Sequence, residues 1–270
     1  MSASTPNGIT SGERLGRTRD LVARWADYVT QPQVAEPDSS LAKDDALFDV
    51  LPPSHLAWQG ILSAVDHLDS FFGPLDGGKS HPLAPGTLAR AGVLGAAHAL
   101  WLLDAPDRVG RQKRGLRLAH EEFKRDRQTM TDLLDLTGDP AGHVQQRIDT
   151  LKEWMDRAVT VGGTLGMTPA QVRHVEDTAL IDEVAARYVG TDPGSEDLAK
   201  TYKVVWRMYS GTAHGLRWSA MLRADIVAKP DGTAHGYVTH DLEQLDMAAN
   251  AVALFIGRAI DLYGIRRKPH

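Results

Sequence analysis

The sequence predicts an all-α fold, a multi-helix bundle carrying one short β-hairpin near residues 223–239. Three observations predict it. Apolar residues recur at three- and four-residue spacing over most of the chain, the signature of amphipathic helices. Pro and Gly clusters separate these stretches into lengths typical of helices. One segment alone, Ile226–Lys229 before Pro230-Asp231-Gly232 and Thr233–Val238 after it, has β-branched residues around a turn, the composition of a hairpin.

Each element follows in order. Residues 1–12 are rich in Ser, Thr, Gly and Pro and read as a disordered N-terminus. Residues 13–270 read as a single helical domain, with peripheral helices and a linker over 13–53 and the main bundle over 54–264. From Glu13 to Val29 a helix puts Leu15, Val22, Trp25 and Val29 roughly on one side. Pro32, Pro37, Pro52 and Pro53 break the next stretch and leave one short helix around Leu41–Val50. Ser54 is a suitable N-cap for a helix in which Trp58, Ile61, Leu62, Val65, Leu68 and Phe72 recur until Gly73-Pro74. Thr87 to Leu103 is interrupted only by Arg90 and His98, the pattern of a central buried helix.

Asp107 to Leu136 reads as a long amphipathic helix, with Val109, Leu116, Phe123 and Met130 at seven-residue spacing. Asp139-Pro140 offers a cap and a first-turn proline to the next helix, whose stripe is Val144, Ile148, Leu151, Met155 and Ala158. A short connection implies that these two pack antiparallel. Gly162-Gly163 breaks the chain, Thr168-Pro169 restarts it, and two short helices or one bent helix follow. Ser195 caps a helix running to Ser210, after which Gly211 and Gly215 loosen the backbone. Leu242, Leu245, Ala249, Val252, Ile256, Ala259 and Tyr263 define the closing helix. The bundle amounts to about seven to nine helices.

Composition narrows the function classes. Among 270 residues there is no cysteine, which excludes disulfides, thiolate metal sites and cysteine nucleophiles. The net charge of −5 argues against strong sequence-blind DNA binding, and no basic recognition helix follows Thr168, so no sequence-specific DNA binding is expected. The first twenty residues lack the basic and apolar regions of a secretory signal, and the apolar run Ala91–Leu103 is too short to span a bilayer. A cytoplasmic protein with no membrane partner is expected.

Several residue groups invite chemistry. Gly77-Gly78-Lys79-Ser80 resembles the end of a P-loop, but Gly73 is one residue out of register and Pro82 and Pro85 follow where a helix should start. His214, His235 and His240 lie near Asp225 and Asp241, yet their spacing matches no zinc motif; neither a metal nor a cofactor is expected. Arg108, Arg111, Lys113, Arg114, Arg117, Lys124, Arg125 and Arg127 share one helix. They form either a solvated face with ion pairs such as Glu121–Arg125 or a track for an RNA backbone, with Arg111, Arg114 and Arg117 as the guides. Arg90 and His98, the polar residues expected to be buried, either hold a salt bridge or line a cavity.

Arg207 and His214 form an Arg-x6-His element. An imidazole titrating near neutrality can move a proton to or from a ribose hydroxyl, and a permanent guanidinium charge can stabilise a developing phosphorane. On one helix, seven residues fall about 20° short of two turns, so the two share a face. Arg114 and His120, six apart, are separated by about 240° and do not.

Leu88–Asp104 (LARAGVLGAAHALWLLD), followed by the Arg-rich helix, and Tyr202–Trp218 (YKVVWRMYSGTAHGLRW) resemble parts of the HEPN-like helical proteins, a class with abortive-infection-related bacterial members. In that class an Arg-bearing helix leads into a Tyr-x-x-Ser/Thr-x-x-x-His style segment, a neighbourhood occupied here by Tyr209, Ser210 and His214. The resemblance implies a homodimeric helical bundle that cuts RNA without metal in phage defence. In it His214 is the general acid/base, Arg207 the phosphate stabiliser, and Tyr209 and Ser210 aids to RNA binding. The chain has Met208 where active members carry a polar residue, and Leu94 and Gly95 where related proteins place an acid. The alternative is a non-catalytic helical binding or regulatory module, also dimeric.

Overall fold

The computed structural model of the protein describes residues 9–76, 81–139, 141–187, 195–238 and 241–269. The P-loop-like Gly77–Ser80, His240 and Pro140 lie outside the described residues. Among the described residues are eleven helices and one hairpin: α1 (Ser11–Val29), α2 (Ser40–Asp45), α3 (Pro53–Asp76), α4 (Ala84–Leu103), α5 (Arg108–Thr137), α6 (His143–Thr164), α7 (Pro169–Arg173), α8 (Asp177–Ala186), α9 (Ser195–Ala213), α10 (Arg217–Met221), β1 (Ala224–Ala228), β2 (Ala234–Val238) and α11 (Leu242–Arg266). The all-α expectation with one hairpin holds, and short helices raise the count above nine. Where the sequence reads as one domain, the chain divides into two compact units. The first comprises Met1–Gln33, Gly60–Ala97 and Ile181–Ile260; the second comprises Val34–Gln59, His98–Leu180 and Asp261–His270.

In the first unit, Thr10 and Glu13 make a reciprocal capping box, so α1 starts inside the stretch read as disordered. α1 lies along α11 in constant register. Arg14 pairs with Asp246 at 2.6 Å, the Thr18 hydroxyl donates to Asn250 at 2.7 Å, and the Trp25 ring lies 3.3 Å from where a Cβ on Gly257 would stand. Both chains advance by the same number of residues between these contacts, so the two helices run parallel. α3 and α4 approach closely enough that a Cβ on Gly95 would stand 2.7 Å from the Gly60 carbonyl oxygen. The Tyr202 ring stacks on Phe255 at 3.7 Å, and its hydroxyl donates to the Val93 carbonyl. The hairpin pairs Ala224 with Val238 and Ala228 with Ala234, antiparallel as predicted. Its turn is closed by Lys229 donating to the Thr233 carbonyl, by the Asp231 carboxylate accepting from Thr233, and by Gly232 at φ +79°.

In the second unit, α5 runs from its Asp107 cap to the left-handed Gly138. α6 returns antiparallel: Asp126 pairs with Arg147 and Phe123 packs on Trp154, farther back on α5 and farther on along α6. The start of α6 differs from expectation. Asp139 does not cap it at Pro140; the helix begins after the left-handed Gly142, and the Asp139 carboxylate reaches forward to the Gln145 N–H. Gly162 also does not end it. Gly162 lies within the last turn, where the lack of a side chain leaves room for Val172 of α7, 2.5 Å from where its Cβ would be. α7 opens with Thr168 and Gln171 as a capping box and Pro169 in the first turn, as predicted.

The core of this unit joins Phe48, Leu116, Phe123, Leu151 and Val172. The segment read as a peripheral linker therefore contributes buried Leu41, Phe48 and Asp44. Ser54 is not the cap of α3: its backbone N–H donates to the Asp45 carboxylate at 2.9 Å, and the helix starts one residue earlier, at Pro53. α4 and α11 are long and apolar enough to cross a membrane, and each buries most of that apolar window inside the protein.

Candidate nucleic-acid interface

α9 and the turn that closes it carry the predicted catalytic pair. Its buried face is Tyr202, Val205, Trp206 and Tyr209; its outer face is Lys200, Val204, Arg207 and His214, all exposed. The helical bonding continues through His214, whose N–H donates to the Ser210 carbonyl at 3.0 Å. Gly215 then takes φ +65°, its N–H reaches the Thr212 carbonyl and the Leu216 N–H the Gly211 carbonyl. This is a Schellman closure, and it needs glycine at the left-handed position. Arg207 and His214 therefore do share a face, as expected. Gly211 does not loosen the backbone; it makes room for Trp218 of α10, whose ring lies 2.6 Å from the position of its missing Cβ. Beside His214, Leu216, Trp218 and Leu222 are exposed. Among the described residues no side chain bonds to His214 or Arg207.

Tyr209, expected to aid RNA binding, is not at the surface. It is fully buried against Gly86, its hydroxyl has no hydrogen-bond partner among the described residues, and burial pushes its pKa up to about 12 despite the Arg223 guanidinium 5.9 Å from the ring. Ser210 is half-buried, and its hydroxyl accepts from Arg90 Nε at 3.1 Å while the Arg90 guanidinium covers the Trp206 ring at 4.7 Å. Arg90 is half-buried rather than buried, and it staples α4 to α9. His98 is likewise half-buried, with Nε2 3.1 Å from Asp177, a carboxylate that also lies 3.8 Å from Arg125. The salt-bridge reading describes His98; among the described residues Arg90 pairs with no acid and is held by the Ser210 hydroxyl and the Trp206 ring instead.

Arg111, predicted to guide RNA, is 5% exposed and donates to the fully buried Asp44 at 2.6 Å. It is a structural ion pair. Arg114 and Arg117 part company with it because their face of α5 opens. Both guanidiniums lie against the buried Trp101 ring, at 5.1 and 4.8 Å. Arg114 also donates to the Trp101 carbonyl, and Arg117 donates to the His174 carbonyl at 2.9 and 3.0 Å.

Between α5 and α7 these side chains wall a cleft of about 610 Å³ together with Lys113, Gly166, Met167, Ala170, Gln171 and His174. No carboxylate lines it among the described residues. Cations pinned by π-contacts and carbonyl bonds, an imidazole and an amide make a surface suited to phosphate oxygens. Sequence reasoning placed Lys113 in the basic run without singling it out, and it missed Gln171 and His174. Their signal exists only after α7 folds back across α5.

No family model matches the chain, and no curated protein or solved structure matches it.

Proposed function

We propose that this protein is a helical RNA-binding module that holds a ribose-phosphate backbone in the α5–α7 cleft. The observation that carries the reading is the cleft lining: Lys113, Arg114 and Arg117 beside Gln171 and His174, with no carboxylate among the described residues, in a chain of net charge −5. A localised cationic concavity in an acidic protein is a ligand feature rather than a bulk property. Phosphate contacts from Arg and Lys position a nucleic acid without reading its sequence. The resemblance of Leu88–Asp104 and Tyr202–Trp218 to HEPN-like proteins supports RNA as the polyanion and the cytoplasm as the place of action.

The test is fluorescence anisotropy of a labelled single-stranded RNA over a salt series. Three phosphate contacts give a log–log salt slope of about −2, at about 0.7 per contact. Lys113→Ala lowers affinity and removes about 0.7 of that slope, with an unchanged melting temperature. Salt-independent binding, or an Ala variant that binds as wild type, overturns the reading.

A second reading makes the protein a metal-independent endoribonuclease of phage defence. It is favoured by the shared exposed face of Arg207 and His214. In this reading a second copy laid against Leu216, Trp218 and Leu222 encloses the pair in a composite cleft, and the active species is a homodimer. Incubation with labelled total RNA in EDTA separates the two: cleavage by wild type that His214→Ala loses establishes the nuclease, and intact RNA with both proteins leaves the binding module.

A further inference from the structure

A second cavity, of about 360 Å³, opens in the same unit where α5, α6 and α7 meet. Its wall is His120, Lys124, Arg127 and Gln128 of α5, Lys152, Met155 and Asp156 of α6, and Arg173 of α7. Four cations therefore face one carboxylate. Lys124 is shared with Glu121 at 3.2 Å. Among the described residues Arg127, Lys152 and Arg173 make no ion pair. Other basic residues of α5 are matched: Arg111 by Asp44, and Arg125 by Glu121.

At the cavity wall His120 is 3% exposed, and its Nδ1 has no hydrogen-bond partner among the described residues; Arg127 Nε has none either. Buried polar atoms in folded proteins are nearly always bonded, so unpartnered ones at a cavity wall mark a place for a ligand. Like charges gathered around a small volume repel one another, and an anion between them removes that repulsion. Burial first, then the charge of Arg173 and of Lys124, hold the imidazole below its ordinary pKa, against the opposing pull of Glu121 and Asp156. The neutral ring offers a hydrogen bond without adding to the positive charge.

We infer that this cavity binds a phosphomonoester dianion, with Arg127, Lys152 and Arg173 around its oxygens and His120 Nδ1 as a hydrogen-bond partner. Charge and shape select the class. A monocarboxylate leaves most of the cationic excess in place, and a metal cation is repelled. A terminal phosphate presents three peripheral oxygens to two guanidinium forks and an ammonium. The volume also admits the sugar carrying the phosphate, since small-ligand sites begin at about 300 Å³. The inference is independent of RNA binding in the α5–α7 cleft, which uses other side chains.

The experiment is isothermal titration of the full chain with adenosine 5′-monophosphate, with adenosine as the probe lacking the phosphate. The nucleotide binds and adenosine does not; the variant Lys152→Ala/Arg173→Ala weakens the nucleotide by at least about tenfold. Circular dichroism shows that variant folded, and its affinity for a 5′-hydroxyl RNA stays at the wild-type value, which keeps the two sites separable. A second arm compares 5′-phosphorylated with 5′-hydroxyl RNA. A preference for the phosphorylated end that the variant loses assigns an RNA terminus as the source, and equal binding of both RNAs beside retained nucleotide binding assigns a free small molecule. Equal response to nucleotide and adenosine, or a variant that binds the nucleotide as wild type, overturns the inference.

Discussion

Asp44 shows how a single residue can organise a polar core. It is fully buried on a six-residue helix, and it meets Arg111 at 2.6 Å, with Arg108 at 3.8 Å. Burial raises its pKa, and the hydrogen bond from Arg111 opposes the rise. Losing one member of such a pair leaves the other charged and uncompensated. Asp44→Ala is therefore expected to destabilise the fold by about 3–5 kcal/mol in urea unfolding. Replacing both residues, as Asp44→Leu/Arg111→Met, restores most of that loss because no charge is left stranded. If the double variant is as unstable as the single one, the deficit comes from packing and not from the charge. Tyr209 gives the complementary lesson. Its place in a Tyr-Ser-His neighbourhood suggests RNA contact, but α9 turns it inward, where Gly86 leaves just enough room for the ring.

At the scale of elements, small residues set the spacing between helices. Gly95 stands at a close approach of α3 and α4, and the atom nearest its missing Cβ is a backbone oxygen that cannot rotate away. Gly95→Ala is expected to lower stability by about 1–3 kcal/mol, read from the urea midpoint, although alanine is the better helix former by about 1 kcal/mol. A variant more stable than wild type would show that α3 moves freely. α1 and α11 illustrate register: Arg14–Asp246, Thr18–Asn250 and Trp25–Gly257 recur along one stripe of each helix. The periodicity of Leu15, Val22 and Val29 shows that α1 has a buried side. It does not show that the side faces α11.

For the whole molecule, the buried imidazole ties stability to pH. His120 is held below the ordinary 6.5 of an imidazole. As pH falls through that value the unfolded chain takes up a proton that the native chain does not, so stability present above it is lost on acidification. Between about pH 7 and pH 5 the wild-type unfolding midpoint is expected to fall more steeply than that of His120→Leu, by at most about 1.4 kcal/mol per pH unit. Equal slopes would mean that His120 titrates alike in both states. Charge at this scale is also uneven. A chain of net charge −5 keeps two basic concavities on one unit, both bordered by α5.

Local chemistry by itself determined the helical class, the hairpin around Pro230-Asp231-Gly232, the capped start at Thr168, and the common face of Arg207 and His214. Each depends on residues within about two helical turns of one another, and periodicity and capping carry that information. Only the tertiary structure decided that Arg111 is buried while Arg117 faces a cleft, that Tyr209 points inward, that Phe48 belongs to a core, and that His120 stands among Lys152, Asp156 and Arg173. Those outcomes depend on which face of a helix meets which neighbour. For α5 the neighbours come from α2, α6 and α7, and for Tyr209 from α4, all far along the chain, and no spacing within α5 or α9 records their arrival.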